Sequence, residues 1–468
     1  MENSEKQLLF ISYYFPPMGG GGVQRIVKFL KYLDCDLFQP VVLTVKPSFF
    51  YSNDSTLAGE IPGSVKVIRS GSLDPFRVLY LFRKLFRRPG SASAVSHRES
   101  GGNIRKIAMS VFVPDSRLLW LPFALGKLWR LRRRPVNVII ASMPPFTAGL
   151  IGALARRFLP APLILDFRDA WAENPYLPAV GAVQRRLSAR LEAWCIRQAD
   201  GFIFVNPALQ NDYQKRYPFI AGRRAITIRN GFDPEDFYSP NSPGATQSAG
   251  RRAQIGIEEI DSGKIAAAEN VSGNSGVFNL GIMGTVYSQG NRPETLLEAV
   301  EELSADAAFR DHFRLIFLGK WSPDFRKTVE EKPLGGVVDF IPYLPHREAL
   351  LRAGRFDALA LAIETGLPGS AGVTPGRIYE YLYLKKPILA LCPLDSDLAD
   401  LLRRCQAGEA LDYNDREGIK RVLREWMAGR GDLKNRYRFV GVEEFSRVNQ
   451  ARQLAGFVEE VVGRYVAG

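Results

Sequence analysis

Short apolar runs alternate with amphipathic segments along nearly the whole chain. Each run is rich in Val, Ile, Leu and Phe, and each is followed by a turn and then by apolar positions at helical spacing. This alternation is typical of parallel strands joined by helices. The predicted strands of the first half are 8–13, 41–45, 65–68, 136–141, 163–166, 201–205 and 226–228. The alternation restarts in the second half, with strands predicted at 278–283, 315–318, 338–341, 358–363 and 388–392. The pattern therefore predicts an α/β protein with two doubly wound units.

A change in composition separates the two halves. Residues 239–275 consist mainly of Gly, Ser, Ala and charged residues, which is typical of a linker or surface insertion. We therefore expect one domain over 1–238 and a second over 276–444, followed by an amphipathic helix within 445–468. A chain of 468 residues is in any case too long for one ordinary core.

The overall composition favours a globular protein of the cytoplasm. Hydrophobic residues make up 46% and charged residues 24% of the chain, and no apolar run reaches the ~18 residues of a membrane span. The segment from Met1 to Gln7 is polar and lacks the apolar core of a signal peptide. The 4 cysteines and 3 histidines have no spacing typical of a disulfide framework or a zinc site. We expect no metal cofactor.

The net charge of +13 is concentrated in one segment. Residues 77–134 contain 14 Lys and Arg residues but two acidic residues, Glu99 and Asp115, a net charge of +12. Apolar and aromatic residues recur at helical spacing within it and predict basic amphipathic helices over 76–88 and 121–134. The segment indicates an anionic partner, either membrane headgroups or nucleic acid. Ordinary packing with solvated charges accounts for both helices equally well.

A glycine-rich loop follows the first predicted strand. The sequence F-P-P-M-G-G-G-G ends in Gly20, Gly21 and Gly22 and leads into a predicted helix, so backbone amides could approach a ligand closely. The spacing is not G-x-G-x-x-G, which argues against a dehydrogenase. A tight turn without a ligand is the alternative.

Charged residues emerge where a buried strand of the first half ends. The strand 163–166 leads directly into D-F-R-D-A-W, so Arg168 and Asp169 should lie at the carboxyl edge of a parallel sheet, where such sheets bind ligands. Asp169 could act as a base or hydrogen-bond acceptor for an acceptor hydroxyl, and Arg168 could neutralise phosphate charge. A structural pair closing the loop is the alternative.

The segment 372–393 contains the strongest candidate for a phosphate site. A loop with Thr374 and Gly376 opens a short helix, so its unpaired amides and Arg377 could bind a diphosphate. Glu380 lies on the same helix face and could accept hydrogen bonds from sugar hydroxyls. The alternative is that Arg377 and Glu380 merely pair on a solvated face.

Two weaker candidates accompany this segment. Gly284 and Arg292 lie on the first loop of the second half, where donor phosphates are expected, although Arg292 could equally be a surface arginine. Asp395 and Asp397 form a D-x-D pattern that binds metal in a different fold, but acidic matches this short are common by chance.

Several of these motifs together resemble family 4 glycosyltransferases. The resemblance rests on P-P-M-G-G-G-G-V-Q-R, S-x-P-P-F, D-x-R-D-x-W and P-G-R-I-Y-E-Y-L followed by K-K-P-I-L-A-L. It implies the GT-B fold, with two Rossmann-like domains facing across a cleft and a last helix that returns to the amino-terminal domain. It also implies that the glycine loop faces the donor, that Glu380 binds the ribose, and that catalysis is retaining and needs no metal.

The chain departs from the family pattern at two positions. Gly372 occupies a place, eight residues before Glu380, where the family often has a second Glu, and Glu364 could substitute for it. Arg168 and Asp169 stand where many relatives have a His-Asp pair. The roles of these two positions are therefore inferred from the residues of this chain and not from the family pattern.

The expected function is transfer of a sugar from a nucleotide sugar, bound by the second domain, to an acceptor hydroxyl on the first. Catalysis is expected to rest on Asp169, Arg168 and Arg377. The basic segment leads us to expect a lipid-linked saccharide as acceptor, in cell-surface polysaccharide synthesis on the cytoplasmic face of a membrane. A GT-B phosphorylase or epimerase is the main alternative. A nucleic-acid-binding protein would leave the phosphate loops unexplained, so no nucleic acid partner is expected.

Overall fold

The chain forms two compact units, one of residues 1–229 with 450–468 and one of residues 230–449. We call them unit 1 and unit 2 and describe each by itself. The structure, a computed structural model, describes residues 6–47, 54, 56–73, 75, 112–172, 181–237, 276–287, 289–334, 336–366 and 369–467. The predicted basic helix 76–88 and the predicted insertion 239–275 lie outside these residues.

Unit 1 is built on a parallel sheet of seven strands in the order β3-β2-β1-β4-β5-β6-β7. The strands are β1 (Lys6–Ile11), β2 (Phe38–Val45), β3 (Lys66–Ser70), β4 (Val138–Met143), β5 (Leu163–Phe167), β6 (Gly201–Phe204) and β7 (Arg224–Thr227). β4, β5 and β6 are buried along their whole length. Continuous apolar runs are needed because helices cover both faces of such a sheet.

The helices of unit 1 connect successive strands. They are α1 (Gly21–Tyr32), α2 (Thr56–Gly59), α3 (Leu121–Trp129), α4 (Thr147–Ala155), α5 (Ala182–Gln198) and α6 (Pro207–Arg216). Four residues of the carboxyl-terminal helix, named α15 below, belong to the core of this unit: Leu454, Phe457, Val458 and Val461. The chain end therefore packs on unit 1.

Strand β1 is the point where the strand order of unit 1 reverses. It pairs with β2 on one side and with β4 on the other, so that Leu9 lies opposite both Val41 and Ile139. The loops after β1 and β4 leave the sheet on opposite sides of this point and open a crevice at its carboxyl edge. The residues of interest in unit 1 lie at this edge.

Unit 2 repeats the plan with six parallel strands in the order β10-β9-β8-β11-β12-β13. The strands are β8 (Phe278–Val286), β9 (Phe313–Trp321), β10 (Val338–Pro342), β11 (Ala358–Ala362), β12 (Ile388–Leu391) and β13 (Gly408–Leu411). The order reverses at β8, which pairs with both β9 and β11. The predicted ligand edge of this sheet is again formed by the loops after the central strands.

The helices of unit 2 lie on both faces of this sheet. They are α7 (Glu294–Leu303), α8 (Ala307–His312), α9 (Pro323–Glu330), α10 (His346–Ala353), α11 (Arg377–Tyr383), α12 (Asp397–Cys405), α13 (Arg416–Ala428) and α14 (Leu433–Arg436), and α15 (Arg447–Ala467) follows. Two apolar clusters pack against the sheet, one centred on α11 and α12 and the other on α7 and α13. The predicted α/β fold with two doubly wound units is confirmed.

Most strands follow the predictions, with shifts at the ends, but the sequence pattern did not predict β13. The strand predicted at 315–318 extends over Phe313–Trp321, because both ends continue the pairing with β8 beyond the predicted run. The basic helix predicted over 121–134 ends at Trp129. Among the described helices, none has both the length and the low charge that crossing a bilayer requires.

Candidate functional site

The glycine loop of unit 1 lies against the segment that follows β5. The loop leads from β1 into α1, and Gly20 has a φ of 103°, in the region that favours glycine. A Cβ on Gly22 would lie 2.7 Å from Nη1 of Arg168, closer than real side chains approach. The glycine at position 22 is therefore what lets the guanidinium of Arg168 reach the loop. Two motifs that are 146 residues apart meet here.

Arg168 is held by backbone carbonyls. Its Nε donates to the carbonyl of Met143 at 3.0 Å and its Nη1 to that of Gly22 at 2.7 Å, while its Nη2 donates to Pro144. Burial lowers the pKa of Arg168 from its ordinary value, and Asp166 and Asp169 oppose that shift. These contacts fix the D-x-R-D loop to the S-x-P-P-F loop after β4.

Asp169, the next residue, differs from Arg168 in its hydrogen bonds. Among the described residues its carboxylate has no hydrogen-bond partner, and it is partly exposed. Burial raises the pKa of Asp169, and the positive charge of Arg168 opposes that rise. A carboxylate with free acceptor positions and a raised pKa is suited to accept a proton or to orient a hydroxyl.

A buried ion pair supports this edge from inside. Arg25 of α1 and Asp166 of β5 are both almost fully buried, with Nη2 to Oδ1 at 2.9 Å and Nε to Oδ2 at 3.3 Å. Arg25 also donates to the carbonyls of Ile228 and Arg229, and Ser142 donates to Asp166 at 2.9 Å. Sequence reasoning missed this pair, although both residues belong to motifs quoted above.

In unit 2, Arg377 lies across the end of β8. Its Nη1 donates to the carbonyl of Met283 at 2.7 Å, and a Cβ on Gly284 would lie 2.9 Å from that nitrogen. Gly284 has a φ of 111° and leaves the space that the guanidinium occupies. Nε of Arg377 is buried and has no acceptor among the described residues. An unpaired buried N–H on a cation is a strong reason to expect an anion at this place.

The loop before α11 offers backbone donors beside Arg377. In the described part of the chain, the amides of Gly376 and Arg377 have no protein acceptor. The hydroxyl of Thr374 donates to Asp397 at 2.6 Å, so this side chain ties the loop to α12. Asp397, one half of the D-x-D pattern, thus has a structural partner.

Glu380 lies one turn into α11 and contacts a histidine. Its Oε1 is 3.4 Å from Nε2 of His346, which is itself 3.7 Å from Oδ2 of Asp236. Glu380 is a short distance from the loop amides along one helix face, as predicted from its spacing to Arg377. No sequence pattern indicated a role for His346, which lies at the start of α10.

Arg292 is engaged by side chains of its own unit. It contacts Glu294 at 2.5 Å, Asp324 at 2.9 Å and Thr328 at 3.2 Å. These contacts use its three guanidinium nitrogens. The structure therefore brings Gly284, Thr374, Gly376, Arg377 and Glu380 together at the edge of unit 2, whereas the side chain of Arg292 is held by α7 and α9.

The amino-terminal part of the chain matches a known protein family. Residues 79–231, which include Arg168 and Asp169, match the family described as glycosyl transferase 4-like domain. This part of the chain is similar to domains of glycosyltransferases. The resemblance to family 4 glycosyltransferases that was inferred from the sequence motifs is thereby confirmed. No curated protein matches the sequence of this chain significantly.

Solved structures resemble this chain over nearly its whole length. HepE from Anabaena, in complex with UDP and glucose, is 16% identical with a TM-score of 0.59, covering 97% of this chain and 100% of HepE. Sucrose-phosphate synthase from Thermosynechococcus elongatus is 13% identical with a TM-score of 0.62 (98% and 100% covered). WaaG, a glycosyltransferase involved in lipopolysaccharide biosynthesis, is 15% identical with a TM-score of 0.53 (98% and 100% covered). The likeness shows that this chain has the GT-B fold.

Proposed function

We propose that the protein is a glycosyltransferase that uses a nucleoside diphosphate sugar as donor and binds it at the carboxyl edge of unit 2. The observation that carries the proposal is the buried, unpaired Nε of Arg377, beside the free amides of Gly376 and Arg377. A diphosphate supplies the acceptors that these donors lack. Glu380 would then accept hydrogen bonds from the ribose hydroxyls. Because HepE was solved with UDP and glucose, uridine diphosphate sugars are the first donors to test.

The donor groups also suggest how the leaving group is stabilised. As the glycosidic bond to the diphosphate breaks, negative charge grows on the phosphate oxygens, and the fixed cation and amides are already directed there. Positive charge from the protein replaces the metal that other folds use, so we propose that transfer needs no metal. Retention of the anomeric configuration is proposed from the family resemblance.

The acceptor is proposed to bind to unit 1, beside Asp169. The free carboxylate can take or orient the acceptor proton, and Arg168 holds the loop that carries it. We propose a lipid-linked saccharide as acceptor, in the synthesis of a cell-surface polysaccharide. The structural likeness to WaaG, a protein of lipopolysaccharide biosynthesis, supports this choice.

A lipid-linked acceptor requires the enzyme to reach a membrane, and the described part of the basic segment has suitable features. The indole of Trp129 at the end of α3 is 51% exposed. Four exposed arginines follow it, namely Arg130, Arg132, Arg133 and Arg134. Arg132 lies over the Trp129 ring, 4.5 Å from its centroid. An aromatic ring among cations suits the boundary between headgroups and acyl chains. We therefore propose a peripheral location on the cytoplasmic face of the membrane.

The donor site is tested by calorimetry on the wild-type protein and two variants, with UDP and UDP-glucose as probes and EDTA present. Arg377→Ala should weaken UDP binding by about 1.5–3 kcal/mol, because a hydrogen bond to a charged phosphate is lost. The matched control is Arg404→Ala, which removes an exposed arginine paired with Glu444 in the same unit. The control should bind like the wild type.

Two outcomes would contradict the proposal. Equal UDP affinity in wild type and a folded Arg377→Ala protein would remove the donor site from this edge. Conversion of a nucleotide sugar without any acceptor alcohol would favour an epimerase, and dependence on free phosphate would favour a phosphorylase. Loss of binding in EDTA, restored by Mg²⁺, would contradict a metal-free site.

A further inference from the structure

A fully buried carboxylate lies behind the loop that carries Asp169. Glu192 of α5 has 0% exposure in the middle of the unit 1 core. Burial raises the pKa of Glu192, and hydrogen bonds and the charge of Arg216 oppose the rise. Burying a carboxylate is costly unless its oxygens are well bonded, so this residue calls for an explanation beyond packing.

The bonds of Glu192 lead directly to the backbone after Asp169. Tyr213 of α6 donates its hydroxyl to Oε1 of Glu192, and the same hydroxyl oxygen accepts the backbone N–H of Trp171 at 3.0 Å. The backbone amide of Ala172 also opposes the rise in the pKa of Glu192. The backbone two residues after Asp169 is thus held by a buried network.

With Glu192 ionised, the order of donors and acceptors in this network is determined. A carboxylate accepts hydrogen bonds and does not donate them, so the Tyr213 proton then points at Glu192. The lone pairs of the Tyr213 oxygen are available for the Trp171 amide. Arg216 lies 3.3 Å from Oε2, and its positive charge opposes the rise in the pKa of Glu192.

The other end of the loop is held by Arg168, through the carbonyls of Met143, Gly22 and Pro144. The Trp171 ring is fixed as well, because it stacks on Phe146 with centroids 5.0 Å apart and its Nε1 donates to Ser188. Asp169 therefore lies between two anchored ends. Its own carboxylate has no partner among the described residues.

We propose that Glu192 and Tyr213 are positioning residues that hold the Asp169 carboxylate in its working place. This inference rests on the proposed role of Asp169 in transfer, and it deepens that role. A side chain without hydrogen bonds of its own depends on its backbone for its position. A shift of about 1 Å in such a group can lower a rate by about a hundredfold.

The test compares two variants that each remove one hydroxyl from Glu192. Tyr213→Phe keeps the ring that packs against Phe167 and Phe204 but takes the acceptor from the Trp171 amide. Tyr217→Phe removes the hydroxyl that donates to Oε2 of Glu192 at 3.0 Å and leaves the Trp171 amide with its acceptor. Only Tyr213→Phe therefore removes the hydrogen bond of the Trp171 amide.

Hydrogen exchange and transfer kinetics are measured on the full-length wild type and both variants, with UDP-glucose as donor probe. In Tyr213→Phe, exchange at the Trp171 amide should accelerate. Its kcat should fall by about tenfold or more, with the donor KM unchanged. Tyr217→Phe should match the wild type in exchange at 171 and in kcat. Glu192→Gln is a third variant, because a glutamine amide can donate to Tyr213 and reverse its hydroxyl. It should resemble Tyr213→Phe.

The outcomes separate this inference from the proposed function. Unchanged exchange at 171 in Tyr213→Phe overturns the anchoring. Faster exchange with unchanged kcat overturns the positioning role, as does an equal loss of kcat in both tyrosine variants with equal losses of thermal stability. If the wild type transfers no sugar from any nucleotide donor, the proposed function fails, and the exchange measurement still decides whether the network anchors the loop.

Discussion

At the scale of single residues, Asp169 has the most informative surroundings. Its neighbour Arg168 bonds to three backbone carbonyls, whereas the Asp169 carboxylate has no described partner. A carboxylate that is partly buried without a hydrogen-bond partner destabilises the folded protein. Such groups are typical of sites where a reaction needs them. The arrangement supports a role for Asp169 in the reaction and a structural role for Arg168.

Asp169→Asn should lower the turnover of transfer by at least about a hundredfold, the usual contribution of a general base. An amide of the same size cannot accept the proton. Donor affinity should stay constant, because the proposed donor groups belong to unit 2. Steady-state kinetics with calorimetry of UDP measure both quantities. In the wild type, the acid limb of kcat should lie at higher pH than for an ordinary aspartate, because burial raises the pKa of Asp169.

The same variant should lose turnover but gain thermal stability. Because the folded protein holds the Asp169 proton more tightly than the unfolded chain, stability falls as pH rises through the raised pKa. Asp169→Asn removes that loss and should melt at a higher temperature than the wild type at pH 7. Below about pH 4, where the unfolded aspartate is also protonated, the difference should vanish. A variant with full turnover would leave Asp169 a structural residue.

At the scale of helices and strands, most of the architecture was predictable. Strands such as β5 are nearly continuous apolar runs, because a parallel strand that is buried on both faces requires apolar side chains along its length. The site residues were predictable where they followed such strands directly, as Arg168 and Asp169 follow β5. The glycine loop was predictable from its composition, and its contact with Arg168 was not, because that contact depends on tertiary packing.

The missed residues share a physical reason. Arg25 and Glu192 lie inside helices and His346 begins one, and there a polar or charged residue gives the same local signal whether it faces solvent or the core. Their partners are far away in sequence: Asp166 is 141 residues from Arg25, and Tyr213 is 21 residues from Glu192. Arg292 shows the converse, because a loop arginine near the expected phosphates is held by Asp324 and Thr328. The tertiary structure therefore decides which side chains these residues contact.

The buried pair of Arg25 and Asp166 connects α1, β5 and the end of unit 1 at Ile228 and Arg229. Asp166→Asn would leave the guanidinium of Arg25 buried without its counter-charge. The free energy of unfolding should fall by about 3–5 kcal/mol, the usual cost of breaking a buried pair from one side. Urea unfolding followed by circular dichroism measures the change.

The control for this prediction is Glu330→Gln, which removes the charge of an exposed pair with Arg326. Exposed pairs contribute little, so this variant should unfold like the wild type. Replacing both buried partners, with Arg25→Met and Asp166→Leu, should recover part of the lost stability, since no charge is then left unpaired. Equal stability of Asp166→Asn and the wild type would mean that water reaches Arg25.

At the scale of the whole molecule, the charge distribution sets one segment of unit 1 apart. Outside residues 77–134 the chain is close to neutral, and the described part of that segment ends in four exposed arginines after Trp129. A protein with evenly spread charge would bind an anionic surface in no particular orientation. Because the basic segment belongs to unit 1, the protein should attach to an anionic membrane through unit 1, the unit proposed to bind the acceptor.

Vesicle sedimentation tests this attachment. The wild type should bind vesicles of phosphatidylcholine with phosphatidylglycerol, more as the phosphatidylglycerol content rises and less as salt is added. Replacing Arg130, Arg132, Arg133 and Arg134 by Gln should weaken binding by up to about 4 kcal/mol, because each basic residue near an anionic surface contributes about 1 kcal/mol. UDP affinity should not change.

The matched control removes the same net charge from unit 2 through Arg403, Arg404, Arg421 and Arg424, which are all exposed. If only the charge of the whole protein mattered, the two quadruple variants would lose equal amounts of vesicle binding. A patch that contacts the membrane predicts a large loss for the first variant and a small one for the second. Because Trp129 is half exposed beside the patch, its fluorescence should also shift to the blue on phosphatidylglycerol vesicles and stay unchanged on pure phosphatidylcholine. Binding to neither kind of vesicle at low salt would contradict the membrane location and favour a water-soluble acceptor.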